Sequence, residues 1–167
     1  MTGPSAIRRM IPHRYPILLV DRIVDAVPGA WLVARTAVSG REPAFRGHLA
    51  DDCAAVDDVG ADPVLPVGLV CEAWAQAALL LVRSGRPNPD VRRGGLDLLT
   101  GVRGIEVRGA ARPGDVIEHR VRLRGAVGTA WLLGGGAWVG AREIVRVGQL
   151  TVVSGAPDTT GPEGGGR

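Results

Sequence analysis

Lysine is absent: all 20 basic residues other than histidine are arginine. With abundant alanine, glycine and valine, this reflects coding from a GC-rich genome and says nothing about activity. Aromatic residues make up 4% of the chain, too few for a platform on which bases could stack. The formal net charge of +3 is small and dispersed, so it argues against nucleic acid while suiting an acidic protein partner. Only Cys53 and Cys71 represent cysteine, without CxxC spacing and without a histidine at a metal-ligand interval, so both are expected to be ordinary thiols. No apolar run approaches the roughly 20 residues that span a bilayer. The opening MTGPSAIRRMIPHRYP also lacks the apolar core of a secretion signal. The expectation is a soluble, cytoplasmic protein with no membrane role.

What is present is enough apolar material for one globular body. The chain has 167 residues, 46% of them hydrophobic, which fits one domain expected over residues 1–155. The remainder, 156–167, reads APDTTGPEGGGR; it has no apolar anchor and is expected to be disordered. Residues 17–27 (ILLVDRIVDAV) and 31–38 (WLVARTAV), separated by Pro28-Gly29, predict a strand, a turn and a strand. Residues 39–63 lack any sustained period and read as a long loop. Four more strands are predicted near 96–109, 115–126, 130–139 and 143–154, with Gly134, Gly135 and Gly136 weakening the third or marking a bulge.

Between these groups lies PVGLVCEAWAQAALLLV at 66–82, apolar on nearly every side, opened by proline and followed by Ser84-Gly85. Its length and its alanine and leucine content predict a buried helix, not a strand. One long helix among six strands implies α+β architecture, an antiparallel sheet wrapped around the helix.

A glutamate inside such a helix costs several kcal/mol to bury unpaired, so Glu72 is the first functional candidate. Gln76 stands four residues on and shares its face. The structural alternative is that Glu72 is merely paired with an arginine or accepts a hydrogen bond from Gln76. His48, in FRGHLA, lies where a loop side chain can reach a pocket. His13 and His119 are comparable lone histidines, the latter expected on a sheet face or the surface.

Three segments in order, IPHRYPILLVDRIVDAVPG at 11–29, EPAFRGHLA at 42–50 and PVLPVGLVCEAWAQAA at 63–78, resemble the hallmarks of the bacterial 3-hydroxyacyl-acyl-carrier-protein dehydratases. ARPGDVIEHRVRL at 111–123 resembles that family's later strand opening, so the likeness covers roughly 6–155. The resemblance implies a hot-dog fold that dimerises through its sheets, with His48 and Glu72 as the catalytic pair, each site taking one of them from each subunit. It implies an acyl carrier protein as partner, assembly as a homodimer or higher oligomer with a heteromer as the variant case, and no metal or organic cofactor. Syn elimination suits the pair: His48 takes a proton from C2 of the thioester while Glu72 protonates the departing C3 hydroxyl. Burial of Glu72 among apolar side chains would favour its proton-donating form. Free N–H groups near Val67 and Gly68 at the helix start would steady charge on the thioester oxygen. Phe45 and Gln76 complete the expected substrate contacts.

The chain departs from the family pattern in three places. About ten additional residues, 51–60, follow GHL before PVLPVG; Pro66-Val67-Gly68 replaces the usual PGV; and EPAFRGHL keeps only Phe45 of a phenylalanine-rich segment. These changes point to polyketide or other secondary metabolism ahead of bulk fatty-acid synthesis. A non-catalytic acyl-binding or heteromer subunit and an acyl thioesterase are the competing readings, since a fold alone does not decide function.

Overall fold

Alternation of apolar and polar residues generates most of the architecture. The computed structural model describes residues 2–45, 63–92 and 95–155. Its elements are α1 (Pro4–Met10), β1 (Arg22–Val27), β2 (Trp31–Ala37), a single 3-10 turn (Pro43–Phe45), α2 (Val67–Ser84), β3 (Asp97–Val107), β4 (Val116–Val127), β5 (Ala130–Val139) and β6 (Arg142–Ser154). The strands form one antiparallel sheet in the order β1-β2-β4-β5-β6-β3. This is the expected α+β hot-dog arrangement.

One face of the sheet carries Leu32, Ala34, Ile117, Val121, Leu133, Ala137, Val145 and Val147, all buried. Against it packs α2, through Val70, Trp74, Ala77, Ala78 and Leu81, and burial of a valine or leucine side chain stabilises the fold by about 1.5–3 kcal/mol. Trp74 satisfies its one polar atom by donating Nε1–H to the Arg120 carbonyl at 3.0 Å. Although α2 is long and apolar enough to cross a membrane by composition, most of it is buried inside this sheet.

The expected bulge in β5 is present. Register shifts occur at Leu133/Gly135 and Ala137/Trp138. Gly135 has φ 149°, and a Cβ there would lie 2.0 Å from the Arg120 carbonyl oxygen, so only glycine lets β5 approach β4 this closely. Between β4 and β5, Gly128 at φ 57° supplies the left-handed turn of a two-residue hairpin loop.

Two expectations need correction at the amino end. Residues 4–10 form a helix that was not anticipated: Pro4 opens it, and Ile7, Met10 and Ile11 bury one face at i, i+3 and i+4. The first strand begins at Arg22 and not at Ile17. Residues 17–19 instead pair their backbone groups with the Arg14 carbonyl and with the side chains of Gln76 and Thr36.

The far end of α2 is tied down by charge. Asp97, at the start of β3, pairs with Arg83 and Arg86; Arg83 also donates to the Gly95 carbonyl at 2.8 Å and Arg86 to Ser154 Oγ at 2.8 Å. Both Arg83 and Asp97 are buried. This knot joins α2, β3 and β6. The predicted loop at 39–63 falls partly on 46–62, which with 93–94 and 156–167 lie outside the described residues.

Candidate active site

Glu72 sits on the second turn of α2, and its side chain is 35% exposed. The premise of a carboxyl sealed among apolar side chains therefore does not hold. Gln76, one turn on, is buried and fully engaged. Its Nε2 donates to Glu72 Oε1 at 2.8 Å and to the Ile17 carbonyl at 2.7 Å, while its Oε1 accepts the Leu19 N–H at 3.0 Å. One side-chain amide thus meets the Ile17 carbonyl and the Leu19 N–H as a neighbouring strand would have done, so these groups are paired outside the sheet. The bland reading of Glu72 as a hydrogen-bond acceptor from Gln76 is geometrically correct, and the same bond fixes where the carboxylate points.

The PHRYP segment delivers a second ring to this place. Ile17 and Leu18 both donate their N–H to the Arg14 carbonyl at 2.9 Å, closing a turn around a cis Tyr15-Pro16 bond. Arg14 Nη1 reaches back to the carbonyls of Ile11 and His13 at 2.9 and 2.7 Å. His13 is thereby set with Nε2 at 3.4 Å from Glu72 Oε1, and its buried Nδ1 has no partner among the described residues. Sequence reasoning treated His13 as one lone histidine among several; nothing in its spacing announced a neighbour 59 residues away.

The remaining expected site residues divide. Val67 and Gly68 are exposed at the start of α2, and as its first two residues they have no intrahelical acceptor for their N–H groups. A Cβ on Gly68 would meet open space, so the exchange of valine and glycine there causes no crowding within the chain. Phe45 is buried in the core. His48, Cys53 and the 51–60 stretch lie outside the described residues. Cys71, beside Glu72, is a free thiol whose pKa burial pushes up, which makes it a weaker nucleophile. His119, expected on a sheet face or the surface, is wholly buried on the inner face.

Next to residue 19 lies a cavity of about 60 Å³ between the 18–21 segment, β2 and the start of α2, lined by Leu19, Thr36, Leu65, Leu69, Ala73 and Ile117 among others. Among the described residues, no group of three His, Cys, Asp or Glu side chains could hold a metal ion.

A FabA-like domain profile matches residues 11–148. A 3-hydroxyacyl-[acyl-carrier-protein] dehydratase FabZ from Anaeromyxobacter sp. is 38% identical over 143 residues, covering 85% of this chain and 84% of that protein. The FabZ of Myxococcus xanthus is 38% identical over 138 residues, covering 81% and 82%. Among solved structures, the dehydratase heterocomplex ApeI:P from Xenorhabdus doucetiae superposes with a TM-score of 0.66 at 20% identity, covering 89% of this chain and 90% of that one. The PaaI protein of Escherichia coli does so with a TM-score of 0.59 at 11% identity, covering 81% and 80%. At these identities the structural likenesses establish the fold alone.

Proposed function

The chain belongs to the FabA-like family, and on that premise we propose that it dehydrates (3R)-3-hydroxyacyl groups on an acyl carrier protein to trans-2-enoyl groups. It is an enzyme, a dehydratase, as its kinship with the FabZ proteins indicates. The observation that carries the reading of the site is the carboxyl group of Glu72, partly open to solvent yet held by Gln76, which enters the step in its protonated form. A carboxyl that is both accessible and aimed can hold a C3 hydroxyl and return a proton to it as it leaves. In the proposed step the C2–H bond breaks toward His48, the C2=C3 double bond forms, the C3–O bond breaks, and the oxygen departs as water with the proton of Glu72. The exposed N–H groups of Val67 and Gly68 support stabilisation of charge on the thioester oxygen. Phe45 and Gln76 act in positioning the acyl chain and the carboxyl, and no cofactor is needed for this chemistry.

The partner is a carrier protein in the cytoplasm, and a polyketide or other secondary-metabolite chain is the preferred substrate because of the departures at 51–60, Val67 and Leu49. A second copy of the chain is the expected neighbour of β3. That strand is one of the two edges of the sheet, with Leu98, Leu99, Val102, Ile105 and Val107 all exposed. An apolar open edge of this length calls for cover, and two-fold pairing of β3 with itself supplies it.

One observation favours a variant of this mechanism: His13 is already beside Glu72 in the same chain. Separate His48→Ala and His13→Ala variants distinguish the two bases. Mass spectrometry of the protein incubated with 3-hydroxyacyl carrier proteins of several chain lengths is the deciding assay. Loss of about one water mass, abolished in Glu72→Gln and His48→Ala, supports the proposal. Release of free acid would make the protein a thioesterase, and an unchanged panel would leave a non-catalytic acyl-binding subunit.

A further inference from the structure

His119 is wholly buried on β4, and its Nδ1 finds no partner among the described residues. Unpaired buried polar atoms are uncommon and cost about 1–3 kcal/mol, so this one asks for a reason. The other ring nitrogen provides it. Nε2 lies 3.1 Å from Thr36 Oγ1, on the neighbouring strand β2, and that hydroxyl lies 2.8 Å from the Leu19 carbonyl oxygen. In the strand register Thr36 faces Ile117 and Ala34 faces His119, so threonine and histidine are diagonal neighbours on the inner face.

The directions of these bonds follow from what each atom can do. A carbonyl oxygen only accepts, so the Thr36 hydroxyl donates to Leu19 and its oxygen must accept from His119. The imidazole therefore carries its proton on Nε2, and the bare atom is an Nδ1 lone pair. The opposite tautomer would bury an unpaired N–H, the rarer defect. Burial pushes the pKa of His119 down to about 3, so the ring is neutral and the donor count unambiguous at ordinary pH.

Leu19 is held at both of its polar backbone atoms: its carbonyl by Thr36, its N–H by Gln76. Gln76 in turn holds Glu72. We propose that His119 and Thr36 are positioning residues for the active site, acting through the Leu19 peptide and Gln76 to hold the Glu72 carboxylate in its working orientation. The chain of bonds runs from β4 through β2 and the 17–19 segment to α2. It reaches Glu72 without touching substrate. An apolar side chain at 119 would fill the core without an orphaned atom, so the histidine carries a local stability cost that packing alone does not call for. The proposal rests on the dehydratase reading for its catalytic consequence, while the bond chain itself stands on geometry.

The test uses the full chain with His119→Leu, His119→Gln, Thr36→Val and Thr36→Ser. Glutamine places an amide N–H where Nε2 stood and serine keeps the hydroxyl, so both preserve the relay; leucine and valine break it. The expected result is a fall in kcat of roughly 5- to 20-fold in His119→Leu and Thr36→Val, KM staying within about twofold, with His119→Gln and Thr36→Ser within about threefold of the parent. Wild-type kcat in the leucine and valine variants, or equal damage in the conservative partners, overturns the proposal. Amide NMR provides a readout independent of turnover: the Gln76 side-chain NH₂ and Leu19 N–H signals should move in His119→Leu and Thr36→Val and return in the conservative pair. Unmoved signals overturn the relay whatever the kinetics show. If the parent protein dehydrates no substrate, the functional reading fails and the NMR result decides the relay alone.

Discussion

Mild acid should destabilise this protein in a way that one substitution removes. His119 has an ordinary pKa of 6.5 in the unfolded chain and about 3 when folded, the shift arising from burial. Between those values the unfolded state binds a proton that the folded state refuses. The contribution is therefore fully present above pH 6.5 and is lost as pH falls toward 3, at roughly 1.4 kcal/mol per pH unit. At pH 5 the loss amounts to about 2 kcal/mol, a large part of the 5–15 kcal/mol that holds most domains together. Carboxylates with lowered pKa also lose stability in acid. Glu118 is one: burial alone would raise it, but hydrogen bonds from Arg120 and Arg35 outweigh that. Because its folded pKa lies below the ordinary carboxylate value of 4.5, its loss falls mainly below that pH, and comparison with His119→Leu isolates this histidine within the window from 6.5 to 5. Urea unfolding at pH 7, 6, 5.5 and 5 measures the slope in the parent and in His119→Leu. The parent should lose about 2 kcal/mol more than the variant across that range. Parallel curves for the two proteins would show that the ring is accessible to protons in the folded state and would refute the argument.

Asp97→Ala removes the carboxylate shared by Arg83 and Arg86 and leaves buried Arg83 uncompensated, so denaturant unfolding should show a loss of about 3–5 kcal/mol. Gly135→Ala should destabilise by at least 1–3 kcal/mol in thermal unfolding, since its Cβ would fall 2.0 Å from a β4 carbonyl oxygen at a left-handed φ. Mixing inactive His48→Ala with inactive Glu72→Gln under subunit exchange should restore about a quarter of parental activity if each site takes one residue from each subunit, because half the dimers are mixed and half of their sites intact. No recovery would place both residues in one chain.

Much of the framework was legible because its physics is local. The strand predicted near 115–126 is β4 to within a residue, and the apolar stretch predicted as a helix at 66–82 is α2 to within two. Glu72 and Gln76 could be read as one face because helical spacing alone puts them there. What escaped the sequence was every relation made across the chain. The run ILLV reads as strand because its residues prefer extended backbone; only the fold reveals that Gln76 and Thr36, not a strand, meet its polar atoms. The buried state of His119 was hidden for the same reason, since alternation identifies a face without saying which side the helix will cover. Helix α1 was too short for its pattern to stand out from the polar residues around it.

The 17–19 segment matters most for how the site is made specific. A peptide held in a β-ladder is positioned by backbone, which any sequence of suitable pattern can provide. Here the backbone of Leu19 is held by an amide and a hydroxyl, so its position depends on the identity of two side chains and on the ring that backs one of them. Hot-dog frames accept very different sequences while keeping the sheet and helix in place, and the frame by itself does not aim a carboxylate. In the proposed relay the aiming starts from polar atoms inside the core, where an unpaired group costs stability and the Thr36–His119 bond is shielded from competing water. Under the proposed relay, a change at Thr36 or His119 leaves the sheet intact and still alters where the Glu72 carboxyl points.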